Sequence, residues 1–307
     1  MFKFTLIGDG QIAKYHRKAI EHIGGEIICI VDLKHELGFG ENNIPYSKDL
    51  KHTPPYVFVE SDYYIICSPS NFHRSQIKYL LSNISTWKSF QIICEKPAFL
   101  PWEQIIDDDR INIVLQLRYL LDLPDKVEKV VAHFVRDEAY FESWKGDPKK
   151  TGGLFFSLFI HYIDLAIQLG ADFEGSVSHA GKQRRMILGD FEHEELEFIN
   201  KTDDPRRYIL EEAGKSYSCP IGTVRNGVMD LYNESGIIDG EYKLEIDLLN
   251  INMQQCYNRM YEAIIAGNGI KPKDVFYLSW ILQRNSEMFG YGRNMIGKTI
   301  KIGRDLL

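Results

Sequence analysis

Three things are scarce in this 307-residue sequence: paired cysteines, long uninterrupted apolar runs, and surplus positive charge. The five cysteines, Cys29, Cys67, Cys94, Cys219 and Cys256, stand far apart, form no CxxC pair and are odd in number. That spacing excludes a disulfide framework and a thiolate zinc finger, and points to reduced thiols in a cytoplasmic protein. No metal site is expected, because no second His or Cys falls at ligand spacing around the one informative histidine. The most apolar stretch, "GGLFFSLFIHYIDLAIQLG", carries His161 and Asp164 in its middle, which a membrane span tolerates poorly. The opening "MFKFTLIGDG" is too short an apolar run for a signal peptide. A formal charge of -7, from 36 basic against 43 acidic residues, argues against nucleic acid as the main partner. It leaves room for a local basic pocket that takes an anionic small molecule. Repeats and low-complexity tails are absent as well.

What is present is a soluble globular composition, 44% hydrophobic and 26% charged, on a chain long enough for two domains. The first third alternates two periodicities. Apolar runs at 3–7, 26–32, 63–67, 90–94 and 111–118 read as strands. Between them lie helical patterns, such as Ile12, His16, Ala19 and Ile23 on one face. Strands separated by helices imply a doubly wound parallel sheet. After Arg118 the pattern changes. A period-two run at 126–137, a Gly/Lys/Pro-rich loop, an apolar helix over 154–169, several strand-like segments and two closing helices near 253–266 and 274–288 give α+β character. The expected fold class is therefore α/β: an N-terminal Rossmann domain at 1–118, followed by an α+β domain for substrate binding and oligomerisation at 119–307.

Between the first strand and first helix stands "LIGDGQIAKYH", whose Gly8, Gly10 and Ala13 fit the G-x-G-x-x-G/A dinucleotide pattern. Gly8 permits the tight turn. Gly10 lets a pyrophosphate approach the backbone of Gln11 and Ile12, where a helix N-terminus offers free N–H groups. Asp32 ends the second strand and can accept from the adenosine ribose hydroxyls while repelling a 2′-phosphate, so NAD is favoured over NADP. An ordinary strand-to-helix turn with a surface aspartate would carry the same residues. Ser68, Asn71 and His73, in "SPSNFH", follow the strand that ends at Cys67, on the same edge of the sheet. They are candidate contacts for the nicotinamide ribose, although His73 could equally cap the next helix.

Two further features carry chemistry. "IICEKPAFLPW" ends an apolar strand on Glu95, Lys96 and Pro97, where α/β proteins place reactive groups; an exposed Glu-Lys-Pro turn is the plain alternative. On the helix over 154–169, Ser157, His161, Asp164 and Gln168 fall within about 60° of one another at 100° per residue. A polar stripe on an otherwise apolar helix must meet a partner, water or a ligand. His161 titrates near neutrality, and Asp164 three residues on can orient it. A satisfied core histidine would look the same in sequence.

With these residues in hand, the chain resembles the Gfo/Idh/MocA family of nicotinamide-dependent oxidoreductases. The pieces that carry the resemblance are "GDGQIAKYH", "CEKPAFL" and "GGLFFSLFIHYIDLA", in that order. Within the family it is similar to the UDP-N-acetylglucosaminuronate 3-dehydrogenases of O-antigen sugar biosynthesis, through "LQLR", "SWKGD" with "KKTGG", and "YEAIIAGNG". Little in 171–250 matches. The resemblance implies that Lys96 reaches the substrate hydroxyl beside the nicotinamide, with Pro97 stiffening its turn and Glu95 positioning it. It implies His161 as general base, oriented by Asp164. A nucleotide sugar is anionic, which makes Arg118, Lys145, Lys149 and Lys150 candidate partners, with Trp144 against the sugar or uracil and Ser157 lining the pocket. It further implies recycling of NADH by 2-oxoglutarate in some members, and a homo-oligomer, dimer or tetramer, paired through an open, largely antiparallel sheet. Rival readings are another sugar, nucleotide sugar or inositol as substrate, an NAD-binding sensor without catalysis, and a sugar-binding scaffold.

Overall fold

The computed structural model describes residues 1–35, 38–40, 43–84, 88–119, 143–153, 252–280 and 282, together with 156, 157, 160, 161, 164 and 168; eight short strands beyond residue 128 are described through their backbone alone. The first strand, β1 (Lys3–Ile7), is followed by α1 (Ala13–His22) and β2 (Glu26–Val31). Then come β3 (Gly38–Phe39), β4 (Pro45–Ser47), α2 (Pro55–Glu60), β5 (Tyr63–Ile66), α3 (His73–Asn83), β6 (Gln91–Cys94) and β7 (Ile111–Ile113). These strands form one sheet in the order β3-β4-β2-β1-β5-β6-β7. Every pairing in it is parallel except β3 with β4.

The reason for this sheet is readable in its side chains. Phe4, Leu6, Ile7, Ile65, Ile66, Ile92 and Ile93 are all buried. Both faces of the central strands are thus covered, as a parallel sheet requires. The chain runs outward from β1 to β2 on one side, then returns to place β5 on the other side. The point where the winding reverses is the C-terminal end of β1, which is where ligands bind in sheets of this kind.

The sequence expectation of a strand over 111–118 is corrected at its far end. Pairing stops at Ile113, and Gln116–Tyr119 form a helical turn in which the Arg118 N–H donates to Leu115 O at 3.0 Å. The turn redirects Arg118 away from the sheet. The outer edge of β7 is also closed: Ile113 N–H donates to Ile270 O at 2.8 Å, and Lys271 Nζ donates to Asn112 Oδ1 at 2.8 Å. Covering an edge in this way removes a template for unwanted strand pairing.

Beyond residue 118 the described strands pair only antiparallel: β8 (Lys129–Val130) with β12 (Cys219–Pro220); β9 (Arg184–Met186), β10 (Leu196–Ile199) and β11 (Ile209–Leu210) together; and β13 (Gly222–Arg225), β14 (Val228–Leu231) and β15 (Glu245–Asp247) together. A short helix, α4 (Pro148–Thr151), precedes a helical segment that includes residues 156, 157, 160, 161, 164 and 168. Helix α5 (Met253–Ile265) packs across α1. Its Tyr257, Met260, Tyr261 and Ile264 share one apolar core with Phe4, Leu6, Ala13, Ala19 and Ile20. The closing part of the chain therefore completes the core of the N-terminal sheet. The remainder of the expected helix near 274–288 is described to 280 and at 282, and the rest lies outside the described residues.

Candidate active site

The glycine turn at the end of β1 is forced by its neighbours. Gly8 has φ +103°, a conformation that L side chains rarely adopt. A Cβ there would stand 2.6 Å from Ser68 N and 2.7 Å from the carbonyl carbon of Cys67. Gly8 N–H donates to Val31 O at 2.8 Å, so the turn is wedged between the ends of β2 and β5. At Gly10 the opposite holds: a Cβ would meet nothing within 4 Å. Helix α1 then begins at Ala13, its N-cap Ile12 making no side-chain cap bond. An open space over Gly10, facing a helix start whose N–H groups lack a side-chain cap, fits a pyrophosphate. At the tip of β2, the Asp32 carboxylate accepts from Asp9 N–H at 2.6 Å and Lys34 N–H at 2.9 Å. Those two bonds fix its direction and leave lone pairs for ribose hydroxyls.

At the tip of β6 the chain passes from Cys94 into Glu95, Lys96 and Pro97, and the Lys96–Pro97 bond is cis. Glu95 is only 6% exposed. Its Oε1 accepts from Tyr257 Oη at 2.5 Å and from His16 Nε2 at 3.1 Å, and its Oε2 from Lys96 N–H at 3.3 Å. Burial alone pushes this carboxyl up, but the His16 and Tyr257 bonds and the Lys96 charge carry it below the usual glutamate range. The carboxylate is thus a fixed anion beneath Lys96. His16 Nδ1 in turn lies 2.8 Å from Tyr261 Oη.

Lys96 Nζ donates to Ser157 O at 2.6 Å. Ser157 is one helical turn before His161, so the ammonium from the sheet reaches the segment that carries the imidazole. Ser157, His161 and Asp164 are all buried, whereas Gln168, the fourth member of the expected stripe, is exposed. Two glycines start this segment. Gly152 has φ +78° and Gly153 φ +86°. A Cβ on Gly152 would come 2.7 Å from Pro101 Cδ, so the glycine lets the segment sit directly on the loop that follows Lys96. Among the described residues, the buried atoms Asn71 Oδ1, Gln116 Oε1 and Ser157 Oγ have no protein partner. Buried polar atoms of this kind call for water or a ligand.

Several sequence expectations change in the structure. Arg118, read as a substrate cation, donates through Nε and Nη2 to both oxygens of Asp164, at 2.8 and 2.5 Å. Asp164, read as the group that orients His161, is therefore engaged by a guanidinium; its carboxylate is 1% exposed and needs that charge. Burial pushes Asp164 above the usual aspartate range, and Arg118 pulls it back only in part. His73, read as a ribose contact, is buried with Nδ1 2.8 Å from Pro97 O and Nε2 2.7 Å from Ser68 O. Both ring nitrogens lie against carbonyls, but burial pushes the imidazole's pKa down and the neutral ring donates to only one of them; with a carbonyl at each nitrogen, the ring faces backbone and not an open ribose site. The side chain of Ser68 donates to Gln76 Oε1 at 2.7 Å. Trp144 is exposed on a turn, Lys145 is half-buried beside it, and Lys150 pairs with Asp147 at 3.5 Å at the surface. Helix α4 lies against the Ser70–Phe72 turn, which puts Lys149 and Lys150 on an element beside Asn71. Sequence reasoning missed His16, Tyr257 and Tyr261 as parts of the site. His16 sat in view on an apolar helix face, but nothing local linked it to residues 241 and 245 positions further on.

An open dinucleotide cradle at the switch point, with the Lys96 ammonium reaching the segment that carries His161, is the arrangement of an NAD-dependent oxidoreductase. Family models agree: residues 2–108 match the oxidoreductase family NAD-binding Rossmann fold, and residues 126–207 its C-terminal alpha/beta domain. The chain belongs to the Gfo/Idh/MocA oxidoreductase family. Solved structures share its fold at low identity. The WlbA (WbpB) dehydrogenase of Thermus thermophilus with NAD and UDP-GlcNAcA is 21% identical, covers 94% of each chain and superposes with TM-score 0.60. The same dehydrogenase with NAD and alpha-ketoglutarate gives 17% identity, TM-score 0.58, and coverage of 99% of this chain and 98% of that one. Levoglucosan dehydrogenase with NADH and levoglucosan is 14% identical, with TM-score 0.61 over 94% of this chain and 97% of that one. Among the described residues, no helix is long and apolar enough to cross a membrane.

Proposed function

We propose that this protein oxidises the C3 hydroxyl of a UDP-linked N-acetylhexosaminuronate to the 3-keto sugar, in the biosynthesis of a bacterial surface polysaccharide. The observation that carries the reading is the hydrogen bond from Lys96 Nζ to Ser157 O, because it ties the strand-tip ammonium to the turn preceding His161. In this reading the Lys96 ammonium holds the substrate oxygen and stabilises the alkoxide character that develops on it. His161 accepts the hydroxyl proton as general base. Bound NAD⁺ supplies the hydride acceptor. The negative charge of Glu95 lies beneath Lys96, and the buried His73 ring packs under its loop. Trp144, Lys145, Lys149 and Lys150 are assigned to the nucleotide and its phosphates, and Asn71 to the nicotinamide ribose.

The sugar assignment draws on the resemblance in "SWKGD" and "KKTGG", and on a UDP-GlcNAcA complex among the fold neighbours. The neighbour solved with alpha-ketoglutarate supports 2-oxoglutarate as an oxidant that returns NADH to NAD⁺ in place. To the same proposal belong a division of the chain near residue 118, a homo-oligomer paired through the second domain's sheet, and a cytoplasmic setting. The test is NADH formation across a panel of UDP-GlcNAcA, UDP-GlcNAc, free hexoses and myo-inositol, with and without 2-oxoglutarate. Turnover on UDP-GlcNAcA at least about tenfold above the others is the expected result. Preference for a free sugar or inositol overturns the substrate class, and NAD binding without turnover on any of them favours the sensor.

A further inference from the structure

The residue between the two glycines of the nucleotide turn is an acid, Asp9, and the dinucleotide pattern has no requirement for one there. Its backbone N–H holds Asp32 Oδ2 at 2.6 Å, so Asp9 stands at the rim of the ribose-binding carboxylate. Its side chain faces a guanidinium and an imidazole. Arg17 Nη2, one turn into α1, lies 2.5 Å from Asp9 Oδ1. His35 Nε2, three residues past Asp32, lies 3.1 Å from Asp9 Oδ2. His35 is itself stacked on Tyr46, with ring centroids 4.0 Å apart. The cluster is half-buried, with Arg17 and Asp9 side chains 31% and 20% exposed. Burial pushes the Asp9 carboxyl up, yet its bonds from Arg17 and His35 carry it below the usual aspartate range.

We propose that Asp9 is a cofactor-selecting residue: it closes the site to a ribose 2′-phosphate by keeping Arg17 and His35 paired at the rim of Asp32. The physical argument is one of occupancy. Guanidinium is the preferred side-chain partner of phosphate, through its planar fork of donors. An arginine and a histidine next to the ribose carboxylate would welcome a 2′-phosphate if their N–H donors faced outward. Here a carboxylate takes both. Discrimination against the phosphorylated cofactor then comes from Asp32 together with the occupancy of these two donors, and removing Asp9 releases both. The inference rests on dinucleotide binding alone and stands whichever sugar is the substrate.

Fluorescence titration of the purified full chain with NADH and NADPH tests it, with the ratio of the two dissociation constants as readout. Asp9→Asn keeps the backbone N–H to Asp32 and should move the ratio toward NADPH by about tenfold or more, while NADH affinity changes little. In an Arg17→Gln/His35→Asn background the same substitution should move it by less than about twofold, because neither the guanidinium nor the imidazole is left to release. Arg17→Gln alone should leave NADPH affinity as it was, since Arg17 is already occupied. An unchanged ratio in Asp9→Asn overturns the proposal. So does a shift that survives loss of both Arg17 and His35, or a wild-type NADPH affinity that falls tenfold with Arg17→Gln. Should Asp9→Asn fold poorly, the Arg17→Gln measurement decides by itself.

Discussion

Glu95 and Asp164 are both buried carboxylates, one at a strand tip of the sheet and the other on the helical segment that carries His161, and their acidities move in opposite directions. Glu95 is held by an imidazole, a phenol, a backbone N–H and a neighbouring ammonium, and ends below the usual range. Asp164 meets the same penalty of burial with one guanidinium, and ends above it. The number and kind of donors around a buried acid decide whether it stands as a permanent charge or as a group held near its limit. Glu95, of the first kind, stands as a charge directly before Lys96. Asp164 is the seat of Arg118, which ties the turn at 116–119 to the segment that carries Asp164.

The comparison is broken most strongly at its weaker member. Arg118→Met leaves Asp164 buried without its cation and should cost about 3–5 kcal/mol in urea unfolding, much of it recovered when Asp164→Leu is added. Full stability of the single variant would mean that Asp164 is satisfied by other means. Tyr257→Phe removes one of several donors from Glu95 and should cost about 1–3 kcal/mol, with the fold retained. The smallest effect is in pH dependence, and the signs differ. Glu95 is depressed from 4.5, so its contribution is fully present above that pH and is lost as pH falls through the folded value. Asp164 is raised from 3.8, so its contribution is present below that pH and is lost as pH rises through the folded value. Relative to Glu95→Gln, the parent protein should therefore lose stability on acidification, whereas relative to Asp164→Asn it should gain. Parallel curves for the two variants would remove the distinction between the acids.

Much of this was legible in sequence because it is local. Each β-branched run is a stretch of a few neighbouring residues, the Gly8 turn and Asp32 lie 24 positions apart, and the parallel sheet they imply is the one observed. The Glu-Lys-Pro tip was legible for the same reason. What escaped were pairings set by tertiary approach. Arg118 and Asp164 are 46 positions apart, and nothing in either neighbourhood distinguishes a substrate cation from a structural one. His73 looked like a ligand residue because its spacing after β5 is suitable, but its ring is buried between two carbonyls. Tyr257 and Tyr261 read as the apolar face of a late helix, and they are; their hydroxyls become part of the site only because α5 returns to pack on α1. The charge cluster at Asp9 was missed because the dinucleotide pattern treats that position as free.

The central claim is that Lys96 and His161 act on one substrate hydroxyl beside the nicotinamide. Single-turnover NADH formation by Lys96→Met and His161→Asn, with the substrate identified from the panel and NADH affinity measured alongside, tests it most directly. The account predicts a loss of at least about 100-fold in each variant with cofactor affinity nearly intact. Turnover within a few-fold of the parent protein in either variant would contradict it.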